Sequence, residues 1–351
     1  MFLYRWFNNL RNKNFSQIQV NTLKKIIIIT TGALLLLVCV LYFEIYIPLN
    51  PDSHETVTIT VQKGWGDDDI ANELQKLGLI RSHNFFELYV ITTLKHNSLQ
   101  AGKYNFSAKM SIYEIVGKLV RGDVLKDRFV ILEGWDEADI GTYLESRDIC
   151  KKDDFLSLVK NDYSDKFDFL ADKPKDADLE GYLFPDTYEV SEEGGCKDAL
   201  EAMLANFGKK LTPELRTEIE SQKKSIFDIV IMASLLEKEV RTLEDKKIAS
   251  GILWKRISIE MPLQLDATVN YVTGKSDPSV LLKDAKIDSP YNTYMYKGLP
   301  KGPISNPGID SIMGAIYPTE TKYWFYLSDG TTHFSATLKE HNANKAKYLG
   351  S

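Results

Sequence analysis

Two glutamates that follow an apolar stretch are the residues of this chain best placed for acid–base chemistry. Glu237 and Glu239 come directly after residues 226–236, which are apolar apart from Asp228 and Ser234. Apolar surroundings penalise a charged carboxylate, and so does the partial negative charge at the C-terminal end of a helix. Both effects raise a carboxyl pKa towards neutrality, which suits a general acid.

The same stretch predicts a buried helix that ends at these glutamates. Ser225 followed by Asp228 forms a capping box, which indicates the start of the helix and puts both glutamates in its last turn. Residues two apart on a helix point about 200° away from each other, so both carboxyls cannot face one cleft. The periodicity alone does not choose between Glu237 and Glu239. A frayed helix end with its carboxylates in water is the structural alternative.

The chain that must position these residues is long enough for two or three domains. It has 351 residues, of which 44% are hydrophobic and 26% are charged. Residues 26–43 contain no charged side chain and are long enough to cross a bilayer with help from their flanks. No small-residue cleavage site follows, so a retained transmembrane helix over residues 26–47 is favoured over a cleaved signal peptide or a core helix.

The charges on either side of this span predict its orientation. Residues 1–25 carry five basic side chains and no acidic one, whereas acidic residues follow the span. The positive-inside rule puts residues 1–25 in the cytoplasm and everything after about residue 48 outside. Without the five basic residues of 1–25, the chain keeps 38 basic residues against 49 acidic ones, a net charge of −11. Such a surface argues against nucleic acid as a partner.

Two similar segments offset by 70 residues indicate a repeated strand–turn–helix unit. Residues 61–74 and 131–144 each combine an apolar strand end, a Gly-Trp pair and an acidic helix start. Convergence on a common local pattern is the alternative to a true repeat. With a strand at 101–106 and a helix at 111–119, residues 55–125 are predicted to form a small α+β module.

Residues 128–349 are predicted to form a larger, mainly helical α+β domain. Glycine, proline and aromatic clusters interrupt it, and near its end residues 322–327 and 331–335 predict a β-hairpin. Thr337 and Glu340 then form the capping box of a last helix. Cys150 and Cys196 are the only possible exported pair, and a disulfide between them is allowed but not implied. No Cys and His spacing of a metal site occurs, so neither a metal nor a cofactor is expected.

Several motifs in the second half of the chain occur together. They are residues 179–188 (LEGYLFPDTY), 233–239 (ASLLEKE), 263–269 (LQLDATV), 291–294 (YNTY), 298–300 (GLP), 306–308 (NPG), and the pairs His333-Phe334 and His341-Asn342. With these motifs in this order, the chain resembles the MltG (YceG-like) endolytic murein transglycosylases. The resemblance implies a membrane-anchored lyase with a LysM-like module and an α+β catalytic domain of lysozyme-like active-site logic.

The resemblance also implies roles for individual residues. The final glutamate of the 233–239 motif is the family's acid/base, which selects Glu239 over Glu237. Substrate-binding or supporting roles are implied for the other motif positions, namely Tyr291, Asn292, Tyr294, Gln264, Asp266, Thr268, Glu180 and Asp186. For residues 179–188 a structural corner fixed by Pro185 is an equal alternative.

The implied reaction cuts peptidoglycan glycan strands internally without consuming water. Glu239 would protonate the bond between muramic acid and glucosamine, and the muramic acid 6-hydroxyl would attack to leave a 1,6-anhydro end. One rival is a muramidase in which Asp186 or Asp266 supplies a second carboxylate and water attacks. Another rival is a non-catalytic wall-binding scaffold. The expected partners are glycan strands, the plasma membrane through one helix, and peptidoglycan synthases as candidates.

Overall fold

The computed structural model describes residues 2–191, 194–275, 281 and 283–350, with the backbone alone for residues 2–20. It is a mixed α+β structure that divides into two compact units, residues 1–125 and 126–351. The first unit consists of α1 (Phe2–Tyr46), β1 (Val57–Val61), α2 (Asp67–Lys76), α3 (His83–Thr92), β2 (Gly102–Phe106) and α4 (Ile112–Arg121).

The second unit holds the remaining elements in chain order. They are β3 (Lys126–Val130), α5 (Glu137–Ser146), α6 (Lys152–Leu158), β4 (Thr187–Ser191), α7 (Gly195–Lys210), α8 (Pro213–Ser221), α9 (Ile226–Glu239), α10 (Leu243–Ser258), α11 (Asp266–Thr273), α12 (Ile309–Ile316), β5 (Phe325–Ser328), β6 (Thr332–Ser335) and α13 (Leu338–Tyr348). Short 3₁₀ helices cover Asp168–Leu170 and Asp284–Lys286.

The C-terminal part of α1 fits a membrane anchor. Residues Asn21–Tyr46 are long and apolar enough to cross a bilayer, and none of their most apolar window is buried against protein. A signal sequence near the N-terminus meets the same criterion, and the orientation stays a prediction. Of the basic residues used for it, Arg5, Arg11 and Lys13 have side chains outside the described residues.

The first unit is built on one antiparallel strand pair covered by helices. Val57 pairs with Phe106 and Val61 with Gly102, as the predicted strands require. The inward faces of the helices and strands form a core in which Phe86, Tyr104 and Leu119 are fully buried, among others.

The two similar sequence segments adopt the same local structure. A strand ends, a glycine turns the chain, and an acidic helix start follows, at β1–α2 and again at β3–α5. Gly64 and Gly134 occupy the turns with φ angles of +93° and +78°, which only glycine adopts readily. The strand–turn–helix prediction is confirmed in both copies.

The helix that carries the two glutamates is the centre of the second unit. The Ser225 hydroxyl accepts from the Asp228 amide at 2.9 Å, and the Asp228 carboxylate accepts from the Ser225 amide at 3.2 Å. This confirms the predicted capping box. From there α9 runs through the core against α8, α10, α11 and α12, and it ends at Glu239. The predicted hairpin is present as β5 and β6, paired antiparallel from Phe325 opposite Ser335.

Cys150 and Cys196 form a disulfide that joins the segment after α5 to the first turn of α7. The bond closes a loop of 46 residues along the chain. Cross-linking a loop of this length restricts the unfolded chain and is typically worth about 2–4 kcal/mol.

We therefore expect reduction of the disulfide, or the pair Cys150→Ser and Cys196→Ser, to lower the free energy of unfolding by about 2–4 kcal/mol. Thermal unfolding with and without reductant measures the effect. The matched control is Cys39→Ser, because Cys39 is a free and exposed cysteine. Equal melting temperatures with and without reductant would contradict the prediction.

Candidate active site

Glu239 lies in a recess between three elements of the second unit. Its carboxyl leaves the C-terminal end of α9 and meets the first turn of α11 and the strand β5. The neighbouring groups are the Asp266 carboxylate, the Ala267 amide and the Tyr326 hydroxyl. The Glu239 side chain remains partly accessible to solvent, as a group that must reach a substrate requires.

The pKa of Glu239 is raised from 4.5 to about 7. Burial is the largest cause, followed by the negative charge of Asp266, while Tyr326 and the Ala267 N–H oppose the shift. The predicted direction is therefore confirmed, but the predicted cause is only partly right. The amide of Ala267 belongs to the N-terminal turn of α11, so a second helix offers the carboxylate a favourable dipole.

Tyr326 has a buried hydroxyl beside the Glu239 carboxyl. Among the described residues this hydroxyl has no hydrogen-bond partner of standard geometry, although it is close enough to lower the pKa of Glu239. Burial and then the charge of Glu239 hold the pKa of Tyr326 well above its usual range. The hydroxyl therefore keeps its proton and can donate it in a hydrogen bond to the ionised carboxylate.

Asp266 and Tyr294 form the second polar pair of the recess. The Tyr294 hydroxyl donates to the Asp266 carboxylate at 2.5 Å. Burial, followed by this bond to Asp266, raises the pKa of Tyr294. Both side chains are partly accessible, so the structure brings these two predicted site residues together with Glu239.

Thr268 and Asn292 are buried residues that support the loop leading to Tyr294. The Thr268 hydroxyl lies 3.0 Å from the Thr293 hydroxyl, which in turn accepts from the Leu265 amide at 2.9 Å. Asn292 is only 1% exposed, and its amide group donates to the carbonyls of Ala285 and Ile287 at 3.1 and 2.8 Å. Both residues brace the loop 289–294 and have no open face towards a ligand.

Gln264 stands at the edge of the same region. Its side chain is exposed and its backbone is left-handed, with a φ angle of +55°. The backbone N–H of Gln264 donates to the Thr293 carbonyl at 3.1 Å. The side chain can meet a ligand because the backbone, and not the side chain, ties this residue to the loop.

Glu237 points away from Glu239 and is fully engaged in a buried network. One of its oxygens accepts from the Gly308 amide at 2.9 Å and the Ser311 hydroxyl at 2.7 Å. Lys246, which is 2% exposed, approaches both oxygens at 3.3 Å. These contacts tie α9 to the start of α12 and to α10. The predicted divergence of the two glutamates is confirmed.

Glu180 belongs to a second buried network centred on Asn306. The Glu180 carboxylate accepts from the Asn306 amide group at 2.7 Å and the Glu137 backbone amide at 3.0 Å. Asn306 also donates to the Trp135 carbonyl at 3.0 Å and accepts from the Leu183 amide at 2.9 Å. Burial and then the neighbouring Glu137 raise the pKa of Glu180. This network joins the 179–188 corner to the 306–308 motif.

Tyr291 and Asp186 have surroundings that differ from those of Glu239. The Tyr291 ring packs on Tyr271 with centroids 5.1 Å apart, and burial followed by Asp178 raises the pKa of Tyr291 to about 12. The exposed Asp186 carboxylate accepts from Asn206 on α7 at 3.0 Å. Neither side chain is among the groups that shift the pKa of Glu239.

Arg256 supports the recess and was not predicted. This residue is 6% exposed, and its guanidinium donates to the carbonyls of Leu263 and Trp324. It thereby fixes the chain just before α11 and just before Tyr326. Its charge and the Tyr326 hydroxyl also influence each other. No local pattern marks Tyr326, because residues 322–327 are aromatic or apolar after Lys322, and no local signal marks Arg256 or Lys246.

Metal chemistry has no support in the described part of the chain, where no group of three or more His, Cys, Asp or Glu side chains could hold an ion. The expectation of metal-free chemistry stays a prediction.

The family of this chain follows from comparison with known proteins. The sequence profile of the YceG-like family matches residues 59–347. The chain belongs to this family, which confirms the resemblance found in its motifs.

Individual relatives agree with this assignment. An endolytic murein transglycosylase of Bacillus subtilis is 34% identical over 318 residues, which cover 87% of this chain and 88% of the relative. A protein of the same name from Streptococcus pneumoniae is 29% identical over 87% of this chain, which covers 60% of that relative. The crystal structure of a YceG-like protein from Listeria monocytogenes matches with a TM-score of 0.56 and 30% identity, over 83% of this chain and 99% of that one.

Proposed function

We propose that this protein is a membrane-anchored endolytic lytic transglycosylase that cleaves peptidoglycan glycan strands with Glu239 as its acid/base. The observation that carries the proposal is a partly accessible glutamate whose pKa is raised to about 7 in a protein recess. Such a group is protonated in a useful fraction at neutral pH and can accept the proton back. The names of the relatives support the substrate.

The proposed reaction needs one carboxyl group acting twice. Glu239 first donates its proton to the oxygen that links muramic acid to glucosamine, and the bond from the muramic acid anomeric carbon to that oxygen breaks. The Glu239 carboxylate then takes the proton of the muramic acid 6-hydroxyl, whose oxygen bonds to the same carbon. The products are a 1,6-anhydro end and a free glucosamine 4-hydroxyl. Because the attacking group belongs to the substrate, proximity favours this step over attack by water.

The neighbours of Glu239 have complementary roles in this proposal. The Asp266 charge favours the protonated acid before the reaction and can stabilise positive charge that develops at the anomeric carbon. A hydrogen bond from the Tyr326 hydroxyl to Glu239 is strongest after proton transfer, because a carboxylate is a stronger acceptor than a carboxylic acid. Tyr294 fixes Asp266 through its hydroxyl. We assign Tyr291 and Gln264 to substrate contact further from the reacting atoms.

The role of Tyr326 predicts a shifted pH profile for Tyr326→Phe. Losing a donor to the charged carboxylate disfavours ionisation, so the pKa of Glu239 rises. Because the acid must be protonated to react, the decline of kcat/KM at high pH should move up by about one pH unit. The maximal rate should fall because the carboxylate formed in the reaction is less stabilised. Glycan cleavage measured across pH 5 to 9 gives both values.

Tyr182→Phe is the matched control for this substitution. Tyr182 is another buried tyrosine whose hydroxyl has no hydrogen-bond partner among the described residues. The charges that act on it are those of Asp172 and Asp228, not that of Glu239. Its pH profile should equal that of the unmodified protein. An unshifted profile for Tyr326→Phe would remove Tyr326 from the proposed mechanism.

The remaining parts of the proposal concern location. We propose that residues 1–25 lie in the cytoplasm, that α1 spans the plasma membrane, and that the enzyme acts outside. The Cys150–Cys196 bond supports a location of the second unit outside the cytoplasm, because disulfides persist in oxidising compartments. We propose the first unit as a LysM-like module that positions the catalytic domain, which has lysozyme-like logic. Peptidoglycan synthases are the candidate protein partners.

A water-using muramidase is the second candidate function, because Asp266 supplies another carboxylate close to Glu239. In that reaction two carboxyl groups act on the bond and water ends up in the product. Asp186 is a weaker choice for the second group, since Asn206 and Lys210 engage it.

The length distribution of glycan strands tests the proposal. Full-length protein in detergent is incubated with uncross-linked strands, and the products are separated by length. Endolytic cleavage should shorten long strands to intermediate lengths before disaccharides appear. Strands that bind but keep their length would identify a non-catalytic scaffold and overturn the proposed activity.

A further inference from the structure

The first unit exposes large apolar side chains on α3, just after α3 and on α4. Leu88, Ile91, Leu94 and Tyr113 are 42%, 58%, 80% and 50% exposed, and we call them the apolar patch. Leu88 and Ile91 are three residues apart and so share the outer face of α3. Leu94 follows the helix with a φ angle of +58°, a conformation that a leucine rarely adopts. The chain thus holds a strained, almost fully exposed leucine at the end of this face.

The patch lies on the two helices that pack against the outer end of α1. Leu41 and Ile45 of α1 contact the core of the first unit, and Ile45 is 8% exposed. The Tyr46 and Tyr113 rings are 5.6 Å apart. The Arg81 guanidinium, just before α3, lies over the Phe43 ring at 4.5 Å and donates to the Ile47 carbonyl at 2.7 Å. α3 and α4 are therefore fixed beside the last turns of α1.

The depth of these turns in a bilayer follows from the length of the span. About 20 helical residues cross the hydrocarbon region of about 30 Å. Counted from Ile26, the first residue after the basic pair at 24–25, such a span ends near Ile45. Tyr42 and Tyr46 then stand at the depth where tyrosine rings are enriched. Any element that packs against Leu41 and Ile45 must reach the outer headgroup layer.

We propose that the apolar patch is a second membrane contact, in which Leu88, Ile91 and Leu94 enter the outer leaflet beside α1. This inference rests on the anchoring role proposed above for α1. Lipid is the occupant because the patch adjoins the helix that itself lies in lipid, and because exposed leucine and isoleucine on an outer helix face suit the acyl boundary. Lys95 follows Leu94 and lines an adjacent groove with Tyr113. The other charged residues of the groove are Lys118, Arg121, Glu114 and Asp123, and Arg121 pairs with Asp123 at 2.8 Å. Three cations against two anions leave one net positive charge beside the patch, which can meet an anionic headgroup.

Site-specific quenching in the full chain tests this contact. Single cysteines replace Leu88, Ile91, Leu94 or Lys63 in a Cys39→Ser background, with the Cys150–Cys196 disulfide left intact. Each carries an environment-sensitive fluorophore in vesicles of phosphatidylethanolamine and phosphatidylglycerol that contain nitroxide-labelled acyl chains. The unmodified chain labelled at Cys39 reports on the span itself.

Lys63 is the matched position in the same unit. It is exposed and follows the end of β1 that pairs with Gly102. The segment after α1 contacts the opposite end of the strand pair, through the Asn50 amide and the Ala108 carbonyl at 2.9 Å. Lys63 therefore lies at the end of the strand pair opposite to the end that the chain reaches when it leaves α1.

Quenching at Leu88, Ile91 and Leu94 should approach that at Cys39 and exceed that at Lys63 by about threefold or more. Quenching at the three positions equal to that at Lys63, with Cys39 strongly quenched, would overturn the second contact while leaving the anchor intact. Fluorophores that report apolar surroundings but escape quenching would show that protein covers the patch, which also overturns the inference. If Cys39 itself escapes quenching, the proposed anchor is wrong and the inference falls with it.

Discussion

Glu239→Gln is expected to reduce glycan cleavage by at least about 100-fold, the factor that general acid catalysis typically supplies. Glutamine keeps the shape of the side chain, and its carbonyl oxygen can accept a hydrogen bond from Tyr326, but its amide group is not acidic enough to protonate the glycosidic oxygen. The substitution removes the acid without opening a cavity, so the fold should persist. The rate of strand shortening at neutral pH measures the loss.

The same substitution should stabilise the protein at high pH. The pKa of Glu239 is raised from 4.5 to about 7 in the folded protein, so the unfolded chain loses this proton more readily. Ionisation therefore opposes folding increasingly as the pH rises from about 4.5 to about 7, and the full cost remains above that range. Glu239→Gln should recover stability on the order of 2–3 kcal/mol at pH 8 and none at pH 4. A variant that keeps its activity, or loses stability at pH 8, would contradict the role of Glu239.

Glu237→Gln should have the opposite effects, namely a loss of stability with cleavage activity largely kept. Breaking a buried ion pair leaves the remaining charge without compensation and typically costs about 3–5 kcal/mol. Here the remaining charge is Lys246, which is 2% exposed and contacts both Glu237 oxygens. The melting temperature should drop by about 10 °C, and cleavage by the protein that remains folded should stay within a few-fold of normal. Thermal unfolding and cleavage at low temperature separate the two effects.

A double variant distinguishes loss of the charge pair from loss of a hydrogen bond. Adding Lys246→Met to Glu237→Gln removes the orphaned charge, while the glutamine oxygen can still accept from Gly308 or Ser311. Stability should return for the most part, since replacing a whole buried pair is often close to neutral. If Glu237→Gln alone were fully stable but inactive, the acid/base assignment would move to Glu237.

The sequence predicted the helix and its end correctly because those features are local. Ser225 and Asp228 set the start of α9 three residues apart, and the run of apolar residues predicted its burial. The 200° between Glu237 and Glu239 follows from helical geometry alone. The raised pKa of Glu239 also followed, since burial dominates it.

The choice between the two glutamates could not come from the local pattern. Glu237 is engaged by Ser311, which lies 74 residues further along the chain, and by Lys246 on another helix. Glu239 acquires its surroundings from α11 and from Tyr326 on β5. The resemblance selected Glu239, and the buried contacts of Glu237 now supply a physical reason for the same choice.

The supporting residues show a similar division. Asp266 and Tyr294 lie together at the recess, whereas Asn292 and Thr268 are buried braces and Glu180 belongs to the Asn306 network. A motif marks such positions without stating whether a side chain faces the ligand or the core. That distinction depends on which elements cover the loop, and it is decided by packing rather than by residue type.

The most direct test of the central claim is the fate of water during cleavage. Full-length protein is incubated with glycan strands in ¹⁸O-labelled water, and the new ends are analysed by mass spectrometry. A lytic transglycosylase should give 1,6-anhydro-muramic acid ends that contain no ¹⁸O. Reducing muramic acid ends that carry one ¹⁸O would contradict the account and identify a water-using muramidase.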